Sequence, residues 1–376
     1  MRIAIDARPL SWTGWGGIGR ICRSLIPAIA SNSLVDSVTA FIDKPIPDHD
    51  WSNVSFSVIN SGTIKYQLWG FSRLVDTGEY DIVLSLSPEA PRSHLPTVLL
   101  FYDIYSLRYK EFLSWRFRLE HEYWVHWIRS LARVRSVTRR LDGLISVSQT
   151  SLLDLQHFGG PLRVPAAIAH PGVDAVMSSF SNSSNKARKL IEDKFGIIEP
   201  YVIAVGGINV QKNVDSIVRA YLAARSEIGV RFRLVIVGQE NWPRYRDLST
   251  WNDPYISRYA SLPDSDLAAF LAGAIAYVNL SLYEGFGLPA LEAMAAGTPV
   301  IVSNRGALPE VVGSAGIIVD PYSIDTVGHY LKQLLLDNDF RESKRRDSLN
   351  RARDFTWESM ATDIIELLKL VQDNLD

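Results

Sequence analysis

The sequence predicts an α/β protein of two similarly built domains, each with a parallel sheet. Three observations point there. Short runs rich in Val and Ile alternate with longer helical patterns along the whole chain. Many of those runs are apolar on both faces, as in strands covered by helices on each side. Each half also opens on a strand that leads into a glycine-containing loop. In the first half the strand candidates are residues 3–6, 38–42, 82–86, 98–101 and 144–147. In the second they are 202–205, 234–237, 274–280, 300–302 and 316–319.

A chain of 376 residues is long enough for two domains of about 100–200 residues each. Seven of the eight residues 178–185 are Ser or Asn, just after the turn signal Pro171-Gly172. The expected division is an amino-terminal Rossmann-like domain at 1–175 and a carboxyl-terminal one at 176–355. A last helix, 356–376, is expected to pack back toward the first domain. Ligands of open parallel sheets lie beyond the carboxyl ends of the strands, so the site is expected in a cleft between the halves.

Charge and cysteine usage exclude several classes. With 39 basic against 41 acidic residues the formal net charge is −2, which leaves no footprint for non-specific nucleic-acid binding. No nucleic-acid partner is expected. The single cysteine, Cys22, can form neither an internal disulfide nor a multi-cysteine zinc site, and fits a reducing, cytoplasmic setting. Asp6 comes too early for the apolar core of a secretion signal. The longest uncharged run, 267–283, contains Gly273, Asn279 and Ser281 and divides into a helix and a strand, so no membrane span is expected.

The first glycine loop, Gly14-Trp15-Gly16-Gly17-Ile18-Gly19, spells G-x-G-x-x-G, and Asp43 stands where a dinucleotide fold places its ribose-binding acid. A dinucleotide turn follows its strand immediately, whereas here Arg8, Pro9 and Trp12 intervene after Asp6. The better reading is a flexible loop whose backbone N–H groups, with a helix starting near Gly19, hold a phosphate. A ligand-free surface loop is the plain alternative.

Residues 281–299, SLYEGFGLPALEAMAAGTP, are the most informative. Glu284 lies in a glycine-containing loop, and a helix is expected to start near Pro289. Gly285 and Gly287 leave backbone N–H groups beside the positive end of that helix, which suits a phosphate. Glu292, one turn in, can accept from a ribose diol, and Glu284 from sugar hydroxyls.

This block strongly resembles the family-4 retaining glycosyltransferases of the GT-B fold. The residues that carry the resemblance are Glu284 to Pro289 and Glu292 to Val300, continued by Leu308-Pro309-Glu310-Val311-Val312-Gly313 and by Gly316 to Pro321. The resemblance implies that Glu284 lies at the donor sugar and Glu292 binds the nucleotide ribose. It further implies that Phe286, Gly287 and Leu288 contact sugar and phosphate. Val205-Gly206-Gly207 with Gln211-Lys212-Asn213 resembles the family's diphosphate loop, so Lys212 is expected to neutralise the leaving diphosphate without a metal. Many relatives carry an arginine where Gln211 or Gly207 stands, and Arg305 or Arg20 is the candidate substitute. In the amino half, Gly16, Gly17 and Arg20 match the first glycine loop. Tyr102-Asp103 stands where many relatives have His-Asp at a strand end. Tyrosine does not titrate near neutrality, which leaves Asp103 as the group to orient an acceptor hydroxyl.

The resemblance therefore implies a retaining transfer of a sugar, with mannose from GDP-mannose favoured, to a saccharide or lipid-linked acceptor in polysaccharide or lipopolysaccharide O-antigen synthesis. The named catalytic residues are Glu284, Asp103 and Lys212. The donor-binding set is Gly17, Gly207, Lys212, Glu284, Phe286, Gly287, Leu288 and Glu292, and the acceptor-side set is Gly16, Arg20, Tyr102 and Asp103. No cofactor or metal is expected. A UDP- or dTDP-sugar donor, or a nucleotide-sugar-binding protein with impaired catalysis, stays open.

Other patterns compete for attention. Asp264-Ser265-Asp266 and Asp48-His49-Asp50 have a metal-binding spacing, but the first reads as an N-cap and first-turn acid pair. His170 reads as a hinge or packing residue. Residues 115–140 read as a long helix with seven Arg and three Trp. It is either a structural helix with its Trp on the sheet, or a basic-aromatic face for peripheral contact with a membrane.

Overall fold

The computed structural model describes residues 1–11, 16–46, 51–59, 71–88, 90–108, 121–240 and 251–374. They fall into two compact units. The first contains the described residues of 1–107, 121–172 and 355–374; the second contains Arg108 and those of 173–354. The chain leaves the first unit after Gly172 and re-enters it at Phe355.

Among the described residues the first unit holds a seven-stranded sheet. Its strands are β1 (Arg2–Asp6), β2 (Ser37–Ile42), β3 (Val54–Val58), β4 (Ile82–Ser85), β5 (Thr97–Phe101), β6 (Gly143–Ser146) and β7 (Ala166–Ile168). Their order is β3-β2-β1-β4-β5-β6-β7, every neighbouring pair parallel. Ile3, Ala4, Ile5, Val83, Leu84, Val98 and Leu100 are wholly buried, as the two-faced apolar runs require. The strands that the sequence reading missed here, β3 and β7, are the two sheet edges. Their residues are half-exposed (VSFSV, AAI), so they lack the continuous apolar signal.

Three helices matter below. Helix α1 (Gly16–Ala30) follows β1, α2 (His121–Val137) follows β5, and α3 (Gln149–Gly159) follows β6. The carboxyl-terminal helix, Trp357–Asp373, also belongs to this unit and packs on α1, β6 and β7. It buries Trp357, Met360, Ile364 and Leu368, and the Thr356 side chain caps it by accepting from the Ser359 N–H at 3.1 Å. Two glycines make room for it. A Cβ on Gly143 would meet Val371 at 2.8 Å, and one on Gly172 would fall 2.3 Å from the Trp357 nitrogen.

The second unit repeats the plan with β8 (Tyr201–Val205), β9 (Arg233–Val237), β10 (Ile256–Tyr259), β11 (Ala276–Asn279), β12 (Val300–Ser303) and β13 (Ile317–Val319). Their order is β10-β9-β8-β11-β12-β13, again all parallel. The strand missed here, β10, is likewise an edge, ISRY, with no residue fully buried. Its helices include α4 (Val214–Glu227), α5 (Asp264–Gly273) and α6 (Leu288–Ala295).

Since the Trp357 backbone cannot retreat, Gly172→Ala should destabilise the protein by about 1–3 kcal/mol, the usual cost of forcing an extra carbon into a packed site. Thermal denaturation checks this; an unchanged melting temperature would mean the helix does not sit this close.

Candidate functional site

In the second sheet the strand order reverses between β8 and β11, which lie side by side. The carboxyl end of such a switch point is where parallel sheets hold ligands. Beyond β8 the chain passes close to the end of β9. The Gly206 N–H donates to the Val237 carbonyl at 2.9 Å, and Gly206 has φ +142°. A Cβ on Gly238 would stand 1.8 Å from the Gly206 oxygen. Both positions therefore require glycine.

The next residues make a single tight turn, Val210–Lys212, before α4 starts at Val214. Lys212 is the last residue of that turn. The Asn209 side chain caps the turn by accepting from the Lys212 N–H at 3.0 Å. Two stitches tie it to the segment after β11. Gln211 donates from Nε2 to the Tyr283 carbonyl at 2.8 Å, and its own carbonyl accepts from the Leu282 N–H at 2.7 Å. Asn213, with φ +48°, donates from Nδ2 to the carbonyls of Leu280 at 3.1 Å and Pro321 at 3.2 Å.

These constraints place Lys212 Nζ 2.6 Å from Glu284 Oε1. Ser281 Oγ donates to the same oxygen at 2.8 Å and Asn279 Nδ2 at 3.3 Å. Glu284 is 7% exposed, and such burial is tolerated because cation, hydroxyl and amide converge on it. Among the described residues, no side chain or backbone group donates to Oε2, so that oxygen keeps its capacity to accept. The loop is pressed against the chain after β12. Ala307 N–H donates to the Glu284 carbonyl at 3.0 Å, and Gly306, with φ +58°, leaves no room for a Cβ beside the Glu284 backbone.

Gly287, with φ +103°, caps α6, whose second residue is Pro289. A Cβ on Gly287 would meet Leu308 at 2.7 Å. Phe286, Leu288 and Glu292 are all buried, so Glu292 is no solvated first-turn acid. Burial pushes the Tyr277 phenol well above its ordinary range, and the charges of Glu284 and then Glu292 add to that push. One buried ring thus feels both carboxylates. Gly207 follows Gly206 at the same strand end. Arg305 is half-exposed and faces Asp320 at 3.7 Å.

In the first unit the sequence-derived residues follow two strand ends, those of β1 and β5. Gly16 and Gly17 form the first turn of α1, so the helix starts before Gly19 and only Gly14 and Trp15 of the motif lie outside the described residues. Nothing lies within 4 Å of where a Cβ on Gly16 or Gly17 would be, and both residues are exposed. Arg20 lies one turn further on. Tyr102 is buried and its hydroxyl donates to the Leu86 carbonyl at 2.8 Å. That hydroxyl is committed inside the unit, while the adjacent Asp103 is half-exposed and accepts from the Tyr105 N–H at 3.2 Å. Asp6 and Arg8, at the end of β1, form a buried bidentate pair with two contacts of 2.9 Å, and Arg8 also donates to Ser87 at 3.1 Å. Burial raises the Asp6 carboxyl, against the pull of Arg8.

The competing patterns resolve by pairing. Asp266 is buried at the start of α5 and accepts from Lys194 Nζ at 2.7 and 2.8 Å. The cap position of that helix is Pro263, one residue earlier than expected. Asp48 and Asp50 lie outside the described residues. Among the described residues, no cluster of three or more His, Cys, Asp or Glu is placed to hold a metal ion. His170 packs edge-on against Phe355, ring centroids 5.7 Å apart. Helix α2 turns Trp127, Leu131 and Val134 toward the core and leaves Trp124 and Ile128 exposed, which splits these two tryptophans between the two readings; Trp115 lies outside the described residues. Among the described residues, no helix is long and apolar enough to cross a membrane.

With this geometry in place, comparison with known proteins is decisive for the second unit. Residues 188–354 match the family model described as glycosyl transferases group 1. These residues form a group 1 glycosyltransferase domain. The chain is 35% identical over 178 residues to O-antigen chain mannosyltransferase B of Escherichia coli, covering 46% of each chain. It is 32% identical over 247 residues to the MMP alpha-(1->4)-mannosyltransferase of Mycolicibacterium hassiacum, covering 64% of this chain and 56% of that one. The chain spans about half the length of the curated relatives it matches. The structure of Anabaena HepE in complex with UDP-glucose matches with a TM-score of 0.74 at 15% identity, over 98% of this chain and 99% of that one. The two parallel-sheet units are those of the GT-B fold.

In the glycosyltransferase domain, sequence reasoning singled out Lys212, Glu284 and Glu292 but not the groups that bring the first two together. Asn279 and Ser281 registered only as polar breaks in an apolar run. A polar residue at the carboxyl end of a central parallel strand was the available signal. Lys212→Met should leave Glu284 buried without its cation and cost about 1–3 kcal/mol. Adding Glu284→Gln should restore part of that loss, since a neutral amide needs no cation. Chemical denaturation of both single variants and the double variant measures the coupling, and strictly additive losses would mean the pair does not interact.

Proposed function

We propose that the chain is a retaining glycosyltransferase that uses a nucleoside diphosphate sugar, with GDP-mannose the favoured donor. The observation that carries this reading is the convergence of Lys212 and Glu284 at the strand switch point of a group 1 glycosyltransferase domain. The mannosyl preference is supported by the two curated relatives, both mannosyltransferases by name. The acceptor is a saccharide, free or lipid-linked, of the kind built into surface polysaccharide.

Each residue then has a task. Lys212 and the N–H groups of the glycine turns hold the diphosphate and stabilise the negative charge that grows as it leaves. Glu284, held through Oε1, accepts sugar hydroxyls at Oε2, and Glu292 takes the ribose diol. Phe286, Gly287 and Leu288 shape the loop between them. The anomeric carbon–phosphate oxygen bond breaks and the acceptor oxygen–carbon bond forms on the same face. The acceptor proton passes to the departing phosphate oxygen. Asp103 orients the acceptor hydroxyl. Lysine and backbone amides supply the electrostatic stabilisation, so the reading requires neither metal nor organic cofactor. The exposed stripe of α2, Trp124 and Ile128 continued by Arg135, suits peripheral contact with an anionic membrane on the cytoplasmic side.

Calorimetric titration with GDP, UDP, ADP and NAD tests the site, with GDP expected to bind best. Preference for UDP would move the donor class, and binding of NAD alone would overturn the reading. Glu284→Gln should keep nucleoside diphosphate affinity while turnover falls about 100-fold, in line with loss of one preorganised electrostatic contact. Full transfer activity in that variant would remove Glu284 from the machinery. Nucleotide binding by the wild-type protein without turnover on any sugar conjugate would make it a binding protein.

A further inference from the structure

The first unit contains a cavity of about 360 Å³, and among its described lining residues the solvent side is marked by the exposed Tyr105 with Asp103 beside it. That volume is in the range of ligand sites, about 300–1,000 Å³. Its inner walls are apolar: Leu99 and Phe101 of β5, Leu144 of β6, Leu155 of α3 and Val134 of α2. Among the described residues, the aliphatic hydroxyls of Ser106, Ser130 and Thr138 interrupt them. Ser106 Oγ donates to Ser130 Oγ at 3.0 Å, and Thr138 Oγ1 donates to the Val134 carbonyl at 3.0 Å. These hydroxyls find partners inside the unit, so the described walls are predominantly apolar, the surroundings that suit hydrocarbon.

The mouth is different. Asp103 is half-exposed and Tyr105 is 39% exposed, so a carboxylate and a phenol meet the solvent where the apolar interior begins. Polar at the rim and greasy inside, the site matches an amphiphile with a hydroxylated head and an aliphatic tail. The same helix that supplies Val134 to the wall exposes Trp124 at 48% and Ile128 at 58% on its outer surface, an apolar face suited to where such amphiphiles reside.

We propose that this cavity binds the aliphatic chain of a lipid-linked acceptor, holding its head group at Asp103. The inference rests on the reading of this unit as the acceptor side, and it names the acceptor class. Sugars alone would gain nothing from such walls.

The test is a series of n-alkyl mannosides, methyl to decyl, used below their micelle concentrations. Two quantities are measured: direct calorimetric affinity and, with the donor that binds best, KM for transfer. Each added methylene should tighten binding about three- to four-fold until the cavity is filled. Val134→Phe and, separately, Ser130→Leu fill the cavity. Both should flatten this dependence while melting cooperatively and leaving nucleoside diphosphate affinity unchanged. The second substitution keeps the test open if the first disturbs folding. An affinity independent of chain length in the wild type overturns the inference. So does a dependence that survives both substitutions but disappears in Trp124→Ala, which would assign the chain to the outer face of α2. Chain binding without sugar transfer would sink the transferase reading and leave the cavity assignment standing. Transfer to methyl mannoside with no effect of chain length would do the reverse.

Discussion

A carboxylate buried at the end of a central parallel strand is the constraint around which the second unit is organised. Glu284 is tolerated there only because Lys212, Ser281 and Asn279 converge on one of its oxygens. Bringing a lysine 72 residues away to that point requires the turn after β8 to lie against the loop after β11. Gln211 and Asn213 do this with side-chain bonds to carbonyls. The glycines follow from the same demand, since Gly238, Gly287 and Gly306 stand where neighbouring atoms leave no room for a Cβ and Gly206 is held at φ +142°. In the proposed reaction diphosphate binding is a sharing problem. The cation that compensates Glu284 in this structure is the one proposed to compensate the leaving group. The remaining donors to Glu284 decide how far Lys212 can turn away.

The first unit solves the matching problem in the opposite sense. At the end of β1, Asp6 meets Arg8 in a bidentate pair whose two side chains are essentially inaccessible. Lys212 retains 21% of its side-chain exposure. One pair closes its strand end, whereas the other leaves charge within reach of a ligand. In the proposed reaction the first unit's part falls to the more accessible carboxylate at the end of β5, Asp103, which also lines the apolar cavity.

Sequence patterns revealed what is local. Interior strands were legible because both faces are apolar, and the edges β3, β7 and β10 were not, because half of each faces solvent. Glu284, Gly287 and Glu292 were legible as a compressed motif. The Lys212–Glu284 contact was not, since nothing in either segment encodes the approach of the other. The start of α1 was misjudged because glycines read as loop, although Gly16 and Gly17 occupy a first helical turn where an unfilled side is no handicap. Helix α2 was half legible. Its spacing marked a helix, but which tryptophan faces the core depends on β5 and β6 beneath it.

Tyr102 shows how burial limits mechanism. Relatives of the resembled family often carry histidine there, a group able to take a proton near neutrality. Here burial, together with the neighbouring Cys22, pushes the phenol well above its ordinary range, and its proton is donated to the Leu86 carbonyl. Cys22 is itself buried and pushed up to about 12. Neither group accepts a proton from an acceptor hydroxyl under physiological conditions. In the proposed reaction the acceptor proton consequently leaves with the phosphate oxygen, whose basicity rises as the bond to the sugar breaks. That assignment makes the position of Lys212 matter twice. It must stabilise the departing charge enough to release it, yet not so tightly that the phosphate oxygen loses the basicity it needs.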